Sequence, residues 1–285
     1  MTGKWAPASA SMAAGCEVVT TRSGARAMRD AATGELMHPV VGPRIEAERL
    51  YVTPARVRER LTEASRGPLV ILDVGLGAGS NALSAWRVSE ALPGPARRLE
   101  IVSFEQDLSF LSLASSSDHA EAFDLVGEAG EAARSLLSTL RSETARTAWR
   151  LVVGTLPGTL DLEPAASADV VFWDPFSPKS NPSLWTLAAF HALRRVCRSG
   201  ATVHTYSGAT AVRAAMLLAG FAVGIGPSTG EGKYGTTGAV DVPDLAIPLD
   251  RRWLERLGRS SAPLPADAPA DAMERIAEMG QFATR

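Results

Sequence analysis

The segment Leu69-Val70-Ile71-Leu72-Asp73-Val74-Gly75-Leu76-Gly77-Ala78-Gly79-Ser80-Asn81 constrains this chain more than any other. Five of its first six residues are apolar, which suits a strand buried on both faces at the centre of a parallel sheet. Three alternate glycines follow, so the backbone can turn with positive φ and pass close beneath a ligand where a Cβ would collide. A helix is expected at once, from about residue 80. Such a strand, turn and helix is the unit on which Rossmann-like sheets hold nucleotide-bearing cofactors. The alternative is a glycine turn that only reverses the chain.

Spacing narrows the cofactor. A dinucleotide fingerprint reads G-x-G-x-x-G/A, and here Ser80 stands where its last small residue belongs, which disfavours NAD. Asp73, at the strand end, would repel a pyrophosphate but suits a cationic ligand with an amino group, such as S-adenosyl-L-methionine. A second strand, Arg98 to Phe104, delivers Glu105 about thirty residues further on. An acid at that strand tip can accept both hydroxyls of a ribose; otherwise it is an exposed strand-end glutamate without a partner.

From Leu69 onward, strands (69–74, 99–104, 150–154, 169–174, 201–206, 221–225) alternate with helices (80–92, 107–115, 119–141, 183–197, 209–219). That alternation predicts an α/β fold with a mostly parallel, doubly wound sheet, whose ligands lie at the carboxyl ends of the strands. With 285 residues, 46% of them hydrophobic, the chain can bury one large core with appendages. The expected organisation is an N-terminal extension over 1–66 (irregular or hairpin, then a helix near 55–64), a body over 67–248, and a C-terminal tail over 249–285. The tail should hold a helix at 251–257, a Pro/Ala linker at 262–270 and a last helix at 271–282.

A formal charge of -2 marks no global affinity for nucleic acid, so any such contact must be local. Residues 1–66 carry ten Lys/Arg against seven acids, a mildly basic excess that an ordinary solvated surface also explains. Cys16 and Cys197 are too far apart for a disulfide framework, and no cysteine and histidine spacing suggests a metal site. Neither a signal-peptide core nor a membrane-spanning run is present, so a cytoplasmic protein is expected.

The segment Val170-Val171-Phe172-Trp173-Asp174-Pro175-Phe176-Ser177-Pro178-Lys179-Ser180-Asn181-Pro182-Ser183-Leu184-Trp185 is the most distinctive. A buried strand brings Asp174 to its tip, and three prolines stiffen the loop that carries Phe176, Lys179 and Asn181. Asp174 is expected to take part in catalysis, or else to cap the following helix. Phe176 and Trp185 could wall a pocket or stack on a base, or fill the core.

The D-x-F-x-P-x-x-N-P-x-x-W-T pattern at Asp174 to Thr186 resembles the methyltransferase domain of the MnmC family, enzymes of tRNA 5-methylaminomethyl-2-thiouridine synthesis, and its stand-alone MnmD relatives. Ile45 to Val52, the Gly75–Asn81 turn, Ser103-Phe104-Glu105 and Thr205-Tyr206-Ser207 are similar in the same order, so the likeness covers roughly 40–225. It implies a class I S-adenosyl-L-methionine-dependent methyltransferase acting on the aminomethyl group of a wobble uridine in tRNA. No oxidase half is expected here, so a separate FAD-dependent or other tRNA-modifying enzyme would supply the substrate. By the same likeness Asp174 is the catalytic carboxylate; Gly75, Gly77, Gly79, Asp73, Asn81 and Glu105 surround the cofactor, with Glu46 near the methyl donor. Arg44, Arg49 and Lys179 flank the acceptor pocket with Phe176, Asn181 and Trp185.

Two departures stand out. The family has Gly-Asp after its third strand, where this chain has Gly154-Thr155. A basic run near the end of the family pattern is replaced by Gly230 to Thr237, which holds one lysine. Fewer cations mean fewer phosphate contacts, so methylation of a small molecule or a protein, or a non-catalytic binding role, stays open as an alternative.

Overall fold

The computed structural model describes residues 12–13, 15–21, 24–37, 42–64, 67–230 and 232–283, with 12–13 described as backbone only. Lys4, Arg22 and Arg66 of the basic excess, and Glu231 of the replaced run, lie outside the described residues.

In chain order the elements begin with β1 (Met12–Ala13), β2 (Cys16–Thr20) and β3 (Arg26–Asp30), a small antiparallel sheet. Then come α1 (Pro43–Ala47), a π turn (Glu48–Val52) and α2 (Val57–Thr62). The body runs β4 (Leu69–Val74), α3 (Ser80–Glu90), β5 (Leu99–Glu105), α4 (Ser109–Ala114), α5 (Gly127–Thr139), β6 (Arg141–Glu143), β7 (Thr147–Val153), β8 (Ala168–Trp173), α6 (Leu187–Val196), β9 (Cys197–Thr205), α7 (Thr210–Leu218), β10 (Ala222–Gly230) and β11 (Lys233–Ala239). Two helices close the chain, α8 (Arg251–Leu257) and α9 (Ala272–Ala277).

The main sheet has eight strands in the order β10-β11-β9-β8-β4-β5-β7-β6. The five central strands are parallel, and β11, β10 and β6 pair antiparallel to their neighbours. Strand β4 is buried along its whole length. Its alternate residues face two cores: Val70, Leu72 and Val74 join α6, α7, α8 and α9, while Leu69 and Ile71 join α2, α3, α4 and α5. The connection from β4 leads to β5 on one side, whereas β8 lies on the other, so the chain reverses its winding between β4 and β8. In open α/β sheets that reversal opens a crevice at the carboxyl ends of the strands.

Three expectations needed revision. The helix read over 119–141 begins only at Gly127, because turns occupy 117–124 and Asp124 (φ 56) and Gly127 (φ 58) break the helical path. Strand β11 went unread: Lys233-Tyr234-Gly235-Thr236-Thr237-Gly238-Ala239 has no apolar run, yet it fits between β9 and β10 because glycines leave room there. A Cβ on Gly235 would sit 2.5 Å from the Thr205 carbonyl oxygen. Third, the Pro/Ala segment 262–270 is not a free tether, since Asp267 accepts hydrogen bonds from the Leu187 and Ala188 amides at the start of α6. Trp253, Leu257, Ala272, Ile276 and Phe282 of the tail share the core of the body.

Candidate active site

At the β4–β8 crevice lies a cavity of about 630 Å³, within the range that encloses cofactor-sized ligands. Its floor is the glycine turn. Gly75, Gly77 and Gly79 all have positive φ (85°, 51° and 85°), the backbone region that favours glycine. Their clearances differ. A Cβ on Gly75 would lie 2.6 Å from the Asp174 carbonyl oxygen, so this glycine lets the tips of β4 and β8 close together; the Asp174 amide donates to the Val74 carbonyl at 2.9 Å. Gly77 faces Met37, whose side chain roofs the turn, and Gly79 caps α3 without lining the cavity.

Glu105 lines one side of the cavity and braces the turn. One carboxylate oxygen accepts the Gly77 amide at 3.0 Å, and the other accepts the amides of Gln106 and Asp107. Burial raises its pKa, and these amides oppose that shift. Asp73 does not reach the cavity. It is 1% exposed and accepts from Ser103 Oγ, which in turn accepts from the Trp149 indole. Burial pushes Asp73 up to about 7, with Asp174 and Glu105 adding repulsion. It was expected beside the cofactor; it shares a face of the sheet with Glu105 and Asp174 but stands two residues lower, level with Ser103 and Phe172, where it is buried.

Asp174 emerges from β8 into the cavity. Its Oδ1 accepts from the Tyr51 hydroxyl at 2.5 Å, and its Oδ2 accepts from Asn81 Nδ2 at 2.7 Å. The helix-capping role belongs to another residue: Thr186 Oγ1 accepts the Ala189 amide at the start of α6. Beyond Asp174, the loop is held by Trp185 Nε1 donating to the Phe176 carbonyl and by the Tyr206 hydroxyl donating to the Pro175 carbonyl. Phe176 and Asn181 line the cavity, while Trp185 is buried behind them, edge-on to Tyr206.

The small N-terminal sheet covers the opening. Asp30, Ala32, Thr33, Glu35, Leu36 and Met37 contribute to the wall, and Glu35 accepts both the Ser177 amide (2.8 Å) and the Ser177 hydroxyl (2.9 Å). Glu46 also lines the cavity, whereas Arg44, Arg49 and Lys179 do not. Arg44 pairs with Glu48 and Asp124 beside a second depression; Arg49 and Lys179 are exposed.

Tyr51, Tyr206 and Glu35 are site residues that residue-level reasoning missed. Tyr51 and Tyr206 sat inside segments that carried the family likeness, but only the fold brings them and Glu35 to the Asp174–Ser177 loop, Tyr51 on the Asp174 carboxylate, Tyr206 on the Pro175 carbonyl and Glu35 on Ser177. Burial, and then the charge of Asp174, raise the pKa of both tyrosines, so they remain hydroxyl donors.

The reversed winding, the glycine turn and the acidic strand tips define a Rossmann-like methyltransferase. A family model for an S-adenosyl-L-methionine-dependent methyltransferase matches residues 130–241. Among curated relatives, the tRNA 5-methylaminomethyl-2-thiouridine biosynthesis bifunctional protein MnmC of Methylibium petroleiphilum is 31% identical over 232 residues, covering 77% of this chain and 34% of that protein. The same protein of Ralstonia nicotianae is 31% identical over 199 residues, covering 68% and 29%. This chain therefore spans about a third of the length of the relatives it matches. The crystal structure of MnmC2 from Aquifex aeolicus superposes with a TM-score of 0.69 at 23% identity, covering 93% of this chain and 84% of that one. Spermidine synthase from Thermotoga maritima shares the fold at a TM-score of 0.50 and 12% identity, over 95% and 87%. This chain belongs to the S-adenosyl-L-methionine-dependent methyltransferases related to MnmC.

Proposed function

We propose that the protein transfers a methyl group to the aminomethyl nitrogen of 5-aminomethyl-2-thiouridine at the wobble position of tRNA. The observation that carries this reading is Asp174: a carboxylate at the switch point of the sheet, aimed into the cavity and held by two donors from separate elements. The acceptor is taken from the reaction for which the MnmC relatives are named.

The residues present fit the cofactor. The positive-φ turn offers its backbone to the ligand, Glu105 keeps carboxylate edges beside it, and Gly154, Thr155 and Leu156 close the far wall. The departure at Thr155 leaves a hydroxyl where the family places an acid. S-adenosyl-L-methionine supplies an electrophilic methyl on a sulfonium. The chain must then present a neutral amine in line with that methyl, although an alkylamine of pKa about 10 is mostly protonated near neutral pH. In this reading Asp174 draws the ammonium in, takes a proton from it and orients the lone pair of the neutral amine so formed toward the methyl. Pro175 and the ties of Trp185, Tyr206 and Glu35 keep the loop rigid, which serves alignment of donor and acceptor.

The test is methyl transfer from labelled cofactor to tRNA carrying 5-aminomethyl-2-thiouridine, read by nucleoside mass spectrometry. Formation of 5-methylaminomethyl-2-thiouridine is expected; methylation of small amines or proteins without tRNA product would overturn the acceptor assignment.

Among the described residues none that lines the cavity is Lys, Arg or His, so the phosphates of tRNA are expected to be met outside it. Arg49 and Lys179 are exposed, whereas Arg44 is engaged by Glu48 and Asp124. Neutralising Arg49 and Lys179 should flatten the slope of log affinity against log salt by about 0.7–0.9 for each phosphate no longer neutralised. Neutralising Arg44 should leave it unchanged. Filter binding of tRNA across a salt series measures both slopes.

A further inference from the structure

Three side chains hold the loop that follows Asp174, and one of them differs from the others in origin. Trp185 and Tyr206 belong to the body of the domain, whereas Glu35 comes from the edge of the small N-terminal sheet. Residues 35–37 run antiparallel to β3 there. The Asp30 amide donates to the Glu35 carbonyl at 2.9 Å, the Met37 amide donates to the Met28 carbonyl at 2.8 Å, and Leu36 stands opposite Arg29. A tight turn joins the two stretches, closed by Asp30 Oδ1 accepting from the Thr33 amide and hydroxyl. Alternate residues of an extended chain share a face, about 7 Å apart. Glu35 and Met37 therefore point the same way, and both line the cavity.

The two side chains meet different parts of the site. Met37 lies on the glycine turn: a Cβ on Gly77 would come within 3.1 Å of its Cε, and the Gly77 amide is itself fixed by Glu105. A ligand resting on Gly77 therefore touches Met37. Glu35 reaches the loop with both carboxylate oxygens, Oε1 accepting the Ser177 amide at 2.8 Å and Oε2 the Ser177 hydroxyl at 2.9 Å. Hydrogen bonds to an ionised carboxylate are roughly twice as strong as neutral ones. Ser177 passes the restraint on, because its carbonyl accepts the amides of Ser180 at 2.9 Å and Asn181 at 2.8 Å, and both of those residues line the cavity. Trp185 and Tyr206 hold the loop with or without a cofactor. Glu35 is carried by the segment that a cofactor on the turn would touch.

We propose that Glu35 is a positioning residue that couples the two ligands: a cofactor seated under Met37 holds residues 35–37 in place, and Glu35 in turn fixes the Ser177–Asn181 segment against which the acceptor docks. This rests on the proposed function, which puts the cofactor on the glycine turn and the acceptor beside Asp174. With residues 35–37 lifted, the cofactor loses its contact with Met37 and the loop loses Glu35, so both ligands favour the tied state. Two ligands that favour one state raise each other's affinity by the same factor. The wall that receives the acceptor is thus best ordered when a methyl donor is in place.

Hydrogen exchange of the Ser177, Ser180 and Asn181 amides, followed by nuclear magnetic resonance on the full chain with and without saturating S-adenosyl-L-homocysteine, tests the coupling without any acceptor. In the wild type the ligand is expected to slow these amides about 10-fold, and in Glu35→Ala to change them by less than about twofold. Glu35→Gln should keep most of the slowing, since its carbonyl oxygen can accept the Ser177 amide and its NH₂ can donate to the Ser177 hydroxyl. Should Glu35→Ala not fold, Ser177→Ala carries the measurement; it loses one of the two bonds, and the slowing should fall to about threefold. Filter binding of tRNA carrying 5-aminomethyl-2-thiouridine gives a second measure: S-adenosyl-L-homocysteine should tighten it about 10-fold in the wild type and by less than about twofold in Glu35→Ala. Wild-type amides that the ligand does not slow overturn the proposal. Equal slowing in Glu35→Ala overturns it too, leaving Glu35 a structural tie, as does equal tightening of tRNA in the two proteins. Slowing that depends on Glu35, in a protein that neither binds nor methylates tRNA, upholds the coupling and removes the tRNA reading. Methylated tRNA with wild-type amides indifferent to the ligand removes the coupling alone.

Discussion

Asp174→Asn is expected to lower turnover by about 10²–10⁴-fold while leaving cofactor affinity nearly unchanged, the range for loss of a positioned proton acceptor. The substitution is nearly isosteric, and the surroundings can adapt. Tyr51 can still donate to the amide oxygen, and the Asn81 amide can turn so that its Oδ1 accepts from the new NH₂. What disappears is the negative charge that draws in an ammonium and the basic oxygen that receives its proton. Fold stability should change little, because the start of α6 is capped by Thr186 and by Asp267 from the tail. Single-turnover methyl transfer, cofactor calorimetry and thermal melting together decide the matter. Near-normal turnover with a lowered melting temperature would make Asp174 a structural residue after all.

Much of this fold is legible along the chain because parallel strands buried on both faces read as apolar runs. Leu69–Val74 and Ala168–Trp173 are such runs, and the strands lie within a residue of where they were expected. Elements stabilised by fit rather than by pattern are not legible. Strand β11 is polar and glycine-rich and owes its place to close backbone approach at Gly235. The π turn that carries Tyr51 shows no spacing signal of its own. The same division holds at the site. Residues attached to a strand tip, such as Asp174 and Glu105, follow from topology, since strand ends converge at the switch point. Asp73 faces the same side of the sheet but stands two residues lower, level with Ser103 of β5 and Phe172 of β8, and so is buried and bonded to Ser103. Tyr51, Tyr206 and Glu35 reach the site from elements whose packing no local pattern encodes, and the charge of Arg44 is absorbed by partners distant in sequence such as Asp124.

Gly77→Leu should abolish cofactor binding while the protein stays folded, with affinity reduced at least about 100-fold, or roughly 2.7 kcal/mol. The position has φ 51°, close to the left-handed helical region that an L residue enters at a cost of about 1–2 kcal/mol. Its Cβ would meet Met37 Cε at 3.1 Å and Met37 Sδ at 3.2 Å. Those atoms are the far end of a flexible side chain that can move, so the backbone need not, and the Gly77 amide can keep its bond to Glu105. The leucine side chain or the displaced Met37 must then occupy space in the cavity that both residues line. Gly75→Ala makes the contrast, because its Cβ would stand 2.6 Å from the Asp174 carbonyl oxygen, backbone that cannot yield without parting the tips of β4 and β8. That variant should lose stability and activity together, whereas Gly77→Leu should melt only several degrees lower and lose the ligand. Calorimetry with S-adenosyl-L-methionine and a thermal melt on each variant separate the two outcomes. Unchanged cofactor affinity in Gly77→Leu would mean that the turn is a chain reversal and that the cofactor lies elsewhere.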